Sequence, residues 1–168
     1  DAWVSATTNG HAGKLAVGFY TSFSAGNLRA TLSEFGARHP DGLRRAARLA
    51  DGWMGAGSTT SDQFVEHVQI LKQALNDRGR DPEAFPISKR VYVAIDDDAD
   101  RAERRLREWF GKWYGNAEMG SRMSVWGSVQ QVVDGLMKIV EGEAGMLMLN
   151  PVFDYMEQLD QLADEVIP

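Results

Sequence analysis

From residue 40 to residue 168 the chain alternates amphipathic helical stretches with short apolar runs, and this alternation constrains the fold more than any other feature. In "PISKRVYVAIDDD" Val91, Val93 and Ile95 alternate with Tyr92 and Ala94, between Pro86 and the acids Asp96 to Asp98, which reads as a strand with its own stop signals. Met146 to Leu149, ended by Asn150-Pro151, reads as another, and a shorter candidate around Trp53 spans Leu49 to Met54. Between them lie helices. Pro40 stands at a first helical position ahead of Leu43, Ala46, Ala47 and Ala50, and that helix stops at Asp51-Gly52. Thr60 with Gln63 and Ser128 with Gln131 form capping boxes for two more, the first continuing through Phe64, Val68, Leu71 and Leu75 to Gly79, the second through Val129, Val132, Val133, Leu136 and Val140. Asp96 to Asp98 start a charged helix with Ala99, Ala102, Leu106, Trp109 and Trp113 on its inner stripe; Asp154 and Glu157 cap a last one ending near Ile167. Residues 115–126 read as a loose connection, "KLAVGFYTSF" and "RATLSEFGAR" as two short strands, and residues 1–17 show no clear period.

Strands separated by helices imply βαβ units and a parallel sheet. Such a sheet places its binding sites at the C-terminal ends of its strands. Four ends are therefore of interest: Gly36 to His39, Met54 to Ser58, Ile95 to Asp97, and Asn150 to Asp154.

Composition removes several classes of function. With 168 residues, 43% hydrophobic and 25% charged, the chain suggests one ordinary globular domain. No stretch approaches the roughly 18 apolar residues of a membrane span, and the first residues lack the pattern of a signal peptide, so a cytoplasmic protein without membrane contact is expected. Zero cysteines exclude disulfides, thiolate metal sites and cysteine nucleophiles, and His11, His39 and His67 are too far apart for a local metal motif. Net charge is −6, with 18 basic residues scattered among 24 acidic ones, which argues against nucleic-acid binding. Arg44, Arg45 and Arg48 form the densest basic cluster and read as a solvated helix face.

Two segments carry the candidate site. Gly36, Ala37, Arg38 and His39 lead into the helix at Pro40, where free backbone N–H groups and the positive dipole end suit an anion, although the same residues also make an ordinary strand-to-helix turn. In Trp53, Met54, Gly55, Ala56, Gly57 and Ser58, the glycines permit close backbone approach and the indole is suited either to walling a flat ring or to filling a core. Ser58 and Thr59 are placed to bind a phosphate or to cap the next helix. Asp96 to Asp98 are read as helix-dipole partners rather than a catalytic cluster, and His67 as a partly buried or surface residue. Trp109, Trp113, Trp126, Met119 and Met123 read as packing residues or the lining of an apolar pocket. Neither a P-loop nor a GxGxxG fingerprint is present.

"FGARHPDGLRRAARLADGWMGAG", "KRVYVAIDDDADRA" and "MLMLNPVFDYMEQLDQLADEVIP" together resemble the C-terminal half of luciferase-like monooxygenases, which are flavin- or F420-dependent (β/α)8-barrel oxidoreductases. The resemblance covers residues 18–168. It implies a partial TIM barrel: a half-barrel of about four βα units, with parallel strands and outer helices. It also implies FMN or coenzyme F420 as cofactor and a small-molecule substrate. In that family the loop after strand five contacts the cofactor phosphate, commonly through a glycine pair and a small hydroxyl residue; Arg38 and His39 stand there in this chain. Members are about twice this length, and a full barrel of this kind needs roughly 200 residues or more. The expectation is that a second copy, giving a homodimer, or a complementary half-barrel chain completes the structure, or that the chain, which starts at Asp1, is part of a longer product. The alternative function is a non-catalytic half-barrel that binds a phosphate or flavin, or serves in assembly.

Overall fold

The computed structural model describes residues 39–166, which belong to the unit Phe35–Pro168. Gly36, Ala37 and Arg38, the two strands expected before residue 40, and Ile167 lie outside the described residues. In chain order the elements are α1 (Pro40–Leu49), β1 (Trp53–Gly55), α2 (Ser61–Asn76), β2 (Ile87–Ile95), α3 (Ala99–Tyr114), α4 (Met119–Met123), β3 (Ser124–Gly127), α5 (Val129–Glu141), β4 (Met146–Pro151), α6 (Tyr155–Gln161) and a π-helical turn (Leu162–Val166).

Local chemistry sets most of these boundaries. His39 caps α1, its Nδ1 accepting from the Asp41 N–H at 3.3 Å. Both capping boxes form as read: Thr60 and Gln63 exchange bonds of 3.1 and 3.2 Å at the start of α2, and Ser128 and Gln131 bonds of 2.9 and 3.4 Å at the start of α5. Asp98 caps α3 by accepting from the Arg101 N–H at 3.0 Å, and α3 ends at Gly115, whose φ of +68° suits a residue without a Cβ. Asp154 precedes α6 but does not cap it; at φ +45° it makes no cap bond and turns its carboxylate to Arg105.

Among the described residues all strands pair in parallel around β2. β4 pairs with Ser88–Val93, a stretch that overlaps both the β1 pairing at Ile87–Lys89 and the β3 pairing at Tyr92–Ile95. A strand has only two edges, so β4 holds one edge of β2 while β1 and β3 share the other. The chain therefore crosses the sheet one way between β1 and β2, returns between β2 and β3, and crosses again to β4. Parallel crossovers are right-handed almost without exception, so the reversal sends α3 to the opposite face from α2 and α5.

The buried clusters agree. On the face of Val91, Val93 and Ile95 lie Leu43 and Ala47 of α1, Phe64, Val68 and Leu71 of α2, and Val132, Leu136 and Ile139 of α5. On the face of Tyr92 and Ala94 lie Leu106 and Phe110 of α3, with Val152 and Phe153 after β4. β2 is thus buried on both sides, as parallel strands require. The inner stripe of α3 is Ala102, Leu106 and Phe110 rather than the expected line to Trp113, which is 63% exposed. The connection at 115–126 also holds α4 and a strand, β3, too short to show a period of its own.

Replacing Thr60 with alanine removes the acceptor for the Gln63 N–H and should lower unfolding free energy by ~1 kcal/mol. Urea denaturation of the variant checks this, with an unchanged m-value expected.

Candidate functional site

The loop after β1 leaves no open space. Trp53 is buried against α2, stacked on Phe64 with ring centroids 5.6 Å apart and edge-on to His67 at 6.2 Å. A Cβ on Gly55 would lie 2.6 Å from the Phe64 ring, and one on Gly57 would lie 2.7 Å from the Tyr92 ring and 2.9 Å from Arg90 Nε. Both glycines allow close approach, and the approaching groups are the chain's own side chains. Met54, on the other face of β1, is 39% exposed. Ala56 and Ser58 are half-buried.

Lys89 ties this loop down. It is 2% exposed, and its ammonium donates to Ala56 O at 3.2 Å, Thr59 O at 3.0 Å and Thr59 Oγ1 at 3.1 Å, with the Phe64 ring 5.3 Å away. Nothing in the sequence pattern distinguished this lysine from an exposed one. Burial, and then the neighbouring Arg90 charge, push its pKa down to about 8.

A second polar group sits at the C-terminal ends of β2 and β4. Binding sites in parallel α/β sheets lie at such strand ends. There a cleft of about 270 Å³ lies between α3 and α6. Arg101 grips Asp96 at 2.6 and 2.8 Å, Arg105 grips Asp154 at 2.6 and 2.8 Å, and the Arg105 guanidinium lies 3.7 Å from the Phe153 ring centroid. The arginine bonds hold the carboxyls of Asp96 and Asp154 below the usual carboxylate range. Gln158 closes the floor by bonding both Ile95 N and Ile95 O at 2.7 Å. Two of the four expected strand ends, Ile95–Asp97 and Asn150–Asp154, thus meet here; the sequence reading of the charged helix after Asp98 named only its apolar stripe and so did not single out Arg101 and Arg105.

The third polar group lies on the sheet beneath α3. Ser124, Tyr92 and Asn150 are aligned across three adjacent strands. The Tyr92 hydroxyl contacts those of Tyr114 and the Arg90 guanidinium, whereas Ser124 Oγ, Asn150 Oδ1 and the Trp109 indole N–H are buried with no hydrogen-bond partner among the described residues. Those described residues contain no cluster of metal-ligating side chains and no helix long and apolar enough to cross a membrane.

The family model for luciferase-like monooxygenases matches residues 34–122, more than half of the chain. The chain belongs to the luciferase-like monooxygenase family. Among solved structures it is similar to an F420-dependent secondary alcohol dehydrogenase in complex with an F420-acetone adduct, at 16% identity and a TM-score of 0.65 over 77% of this chain and 46% of that one. A coenzyme F420-dependent tetrahydromethanopterin reductase from Methanopyrus kandleri gives 15% identity and a TM-score of 0.60, over 78% and 48%. A riboflavin lyase with modified FMN and riboflavin gives 12% and 0.53, over 74% and 39%. No curated protein matches. At these identities the solved structures establish the shared fold, a partial barrel of about four strand–helix units, and this luciferase-like chain spans less than half the length of each.

The buried lysine sets a pH dependence. An unfolded lysine titrates near 10.5, so between pH 8 and 10.5 the unfolded luciferase-like chain holds the extra proton and stability rises with pH. Below pH 8 both states are protonated and the contribution is constant. Chemical denaturation from pH 7 to 10.5 should show a gain on the order of 2 kcal/mol in the parent that Lys89→Met lacks.

Proposed function

We propose that this chain is the C-terminal half of a flavin- or F420-dependent luciferase-like oxidoreductase acting on a small molecule, and that its site is complete only when further strands join the sheet. A second copy of the chain or a complementary half-barrel supplies them. The observation that carries this reading is the family match at 34–122 in a chain that covers 46–48% of two F420-dependent enzymes of the same fold. FMN and F420 both present a phosphate and a tricyclic ring. Their phosphate end is assigned to Gly36–His39, since His39 leads into the N-terminus of α1, and the ring to the strand C-termini.

The ring does not fit the chain as folded. The space beside Gly55 and Gly57 is filled by Phe64, Tyr92 and Arg90, and α3 covers the sheet face of Tyr92 and Ala94. The cleft beside Arg105, at about 270 Å³, falls below the ~300–1,000 Å³ of small-molecule pockets. This closure is what favours the second reading, a non-catalytic half-barrel that keeps the fold and binds a phosphate or flavin.

Light scattering on the protein incubated with FMN or F420, with absorption followed from about 350 to 500 nm across the peak, separates the two. Chromophore travelling with a dimer supports the oxidoreductase, and Arg38→Glu should then weaken binding by more than about tenfold by placing a carboxylate against the phosphate. A colourless protein at every concentration overturns it.

A further inference from the structure

A bare strand edge is a template for another strand, so proteins shorten, bend, charge or cover their edges. Here β1 and β3 share one edge of β2 and β4 takes the other, which leaves the outer sides of all three unpaired among the described residues. Two of them are defended by their length. β1 has three residues, and β3 has four and stops at Gly127, where φ is +123°. β4 has no such defence: it is six residues long, it opens with Met-Leu-Met-Leu, and no charged residue occurs from Ala144 to Phe153. Pro151, which has no N–H, blunts only its last position. On a chain of net charge −6 an uncharged strip is also where two copies repel least.

We propose that a second copy of this chain seats on the outer edge of β4, the two β4 strands pairing antiparallel about a two-fold axis. The proposal rests on the second-copy reading above and adds to it the surface and the direction. Closure into a barrel is the other way for a copy to reach this edge, and α3 opposes it. An eight-stranded barrel has room inside only for side chains. In this chain the face of Tyr92 is already covered by α3, whose own outer row, Arg104, Glu108 and Lys112, is charged and exposed. Strands closing over that row would bury its charges, whereas edge-to-edge pairing leaves α3 in solvent and joins two four-stranded sheets into one. The pleat then fixes the register. A two-fold axis normal to the sheet returns each face to itself, so directly opposed residues must share a face. Met146, Met148 and Asn150 are in register with Ser88, Arg90 and Tyr92 and lie on the α3 side, while Leu147 and Leu149 pack against the other cluster. An axis at Met148 sets that residue against its own counterpart and Met146 of each copy against Asn150 of the other, with Pro151 outside the ladder.

Light scattering over a roughly hundredfold range of concentration should show the unmodified protein as a dimer at the upper end, and a monomer throughout overturns the proposal. Met148→Lys sets two like charges face to face and should weaken dimerisation by more than about tenfold; an unchanged dimer counts against the edge. The chain has no cysteine, so Met148→Cys introduces a single thiol, which should link two copies at the axis under mild oxidation. A dimer that does not cross-link is joined elsewhere or closed as a barrel, and either sinks the assignment. If Met148→Lys fails to fold, hydrogen exchange on the unmodified protein takes its place. Amides of β4 should slow as concentration rises while those of β1 and β3 do not, and equal slowing or none overturns the proposal. Absorption by added FMN or F420 across the same peak decides the oxidoreductase reading separately, since the β4 pair needs no cofactor.

Discussion

Everything described here hangs on β2. It is the strand with which β1, β3 and β4 all pair, and it is buried on both faces. Its odd residues, Val91, Val93 and Ile95, anchor three helices, while Tyr92 and Ala94 anchor a fourth. Each fully buried side chain of this size contributes ~1.5–3 kcal/mol, so this strand alone supplies a large part of a domain's net stability. Because β1 and β3 share one of its edges, the chain has to reverse direction at β2, and the handedness of parallel crossovers then fixes which helix covers which face.

The same reversal answers a difficulty of half-barrels. Four parallel strands cut from a barrel expose the face that would have pointed inward, and such a face is normally covered. In this chain α3 provides the cover, through Leu106, Phe110 and the ring of Tyr114 stacked on Phe110 at 5.4 Å. The cover is imperfect in its polar groups and good in its apolar ones. That combination explains how a chain spanning less than half of its solved relatives folds into a two-sided sheet without its own strands closing on themselves.

Much of this was legible in the residues, and the limits have physical causes. Capping boxes at Thr60 and Ser128 could be read because they are local: two side chains and two backbone N–H groups three residues apart decide them. The strand at 91–95 could be read because five consecutive residues share a period. β3 could not, since four residues ending at a glycine carry no period, and its pairing depends on Tyr92 and Ile95 some thirty positions away. The direction of α3 was hidden for the same reason, as only the edge taken by β3 sends that helix to the second face. Asp154 looked like a cap but is claimed by Arg105, 49 residues earlier, through a charge-assisted bidentate bond stronger than a neutral cap.

The small residues after β1 show how a correct physical inference can still leave its purpose open. Gly55 and Gly57 were read as places of close approach, and both are; a Cβ at either meets an aromatic ring inside van der Waals contact. A glycine signals only that something comes near, and a buried ring of the same chain satisfies that demand as well as a cofactor does. What separates the cases is the polar accounting around the contact. Beside Gly55 that accounting leaves the buried Trp53 indole N–H unmatched, while Lys89 gives each of its three donors to Ala56 or Thr59. Beneath α3 Ser124 and Asn150 hold buried oxygens that no described residue meets. The packed glycine loop therefore carries the structure of this half-barrel, its small residues making room for Phe64 and Tyr92.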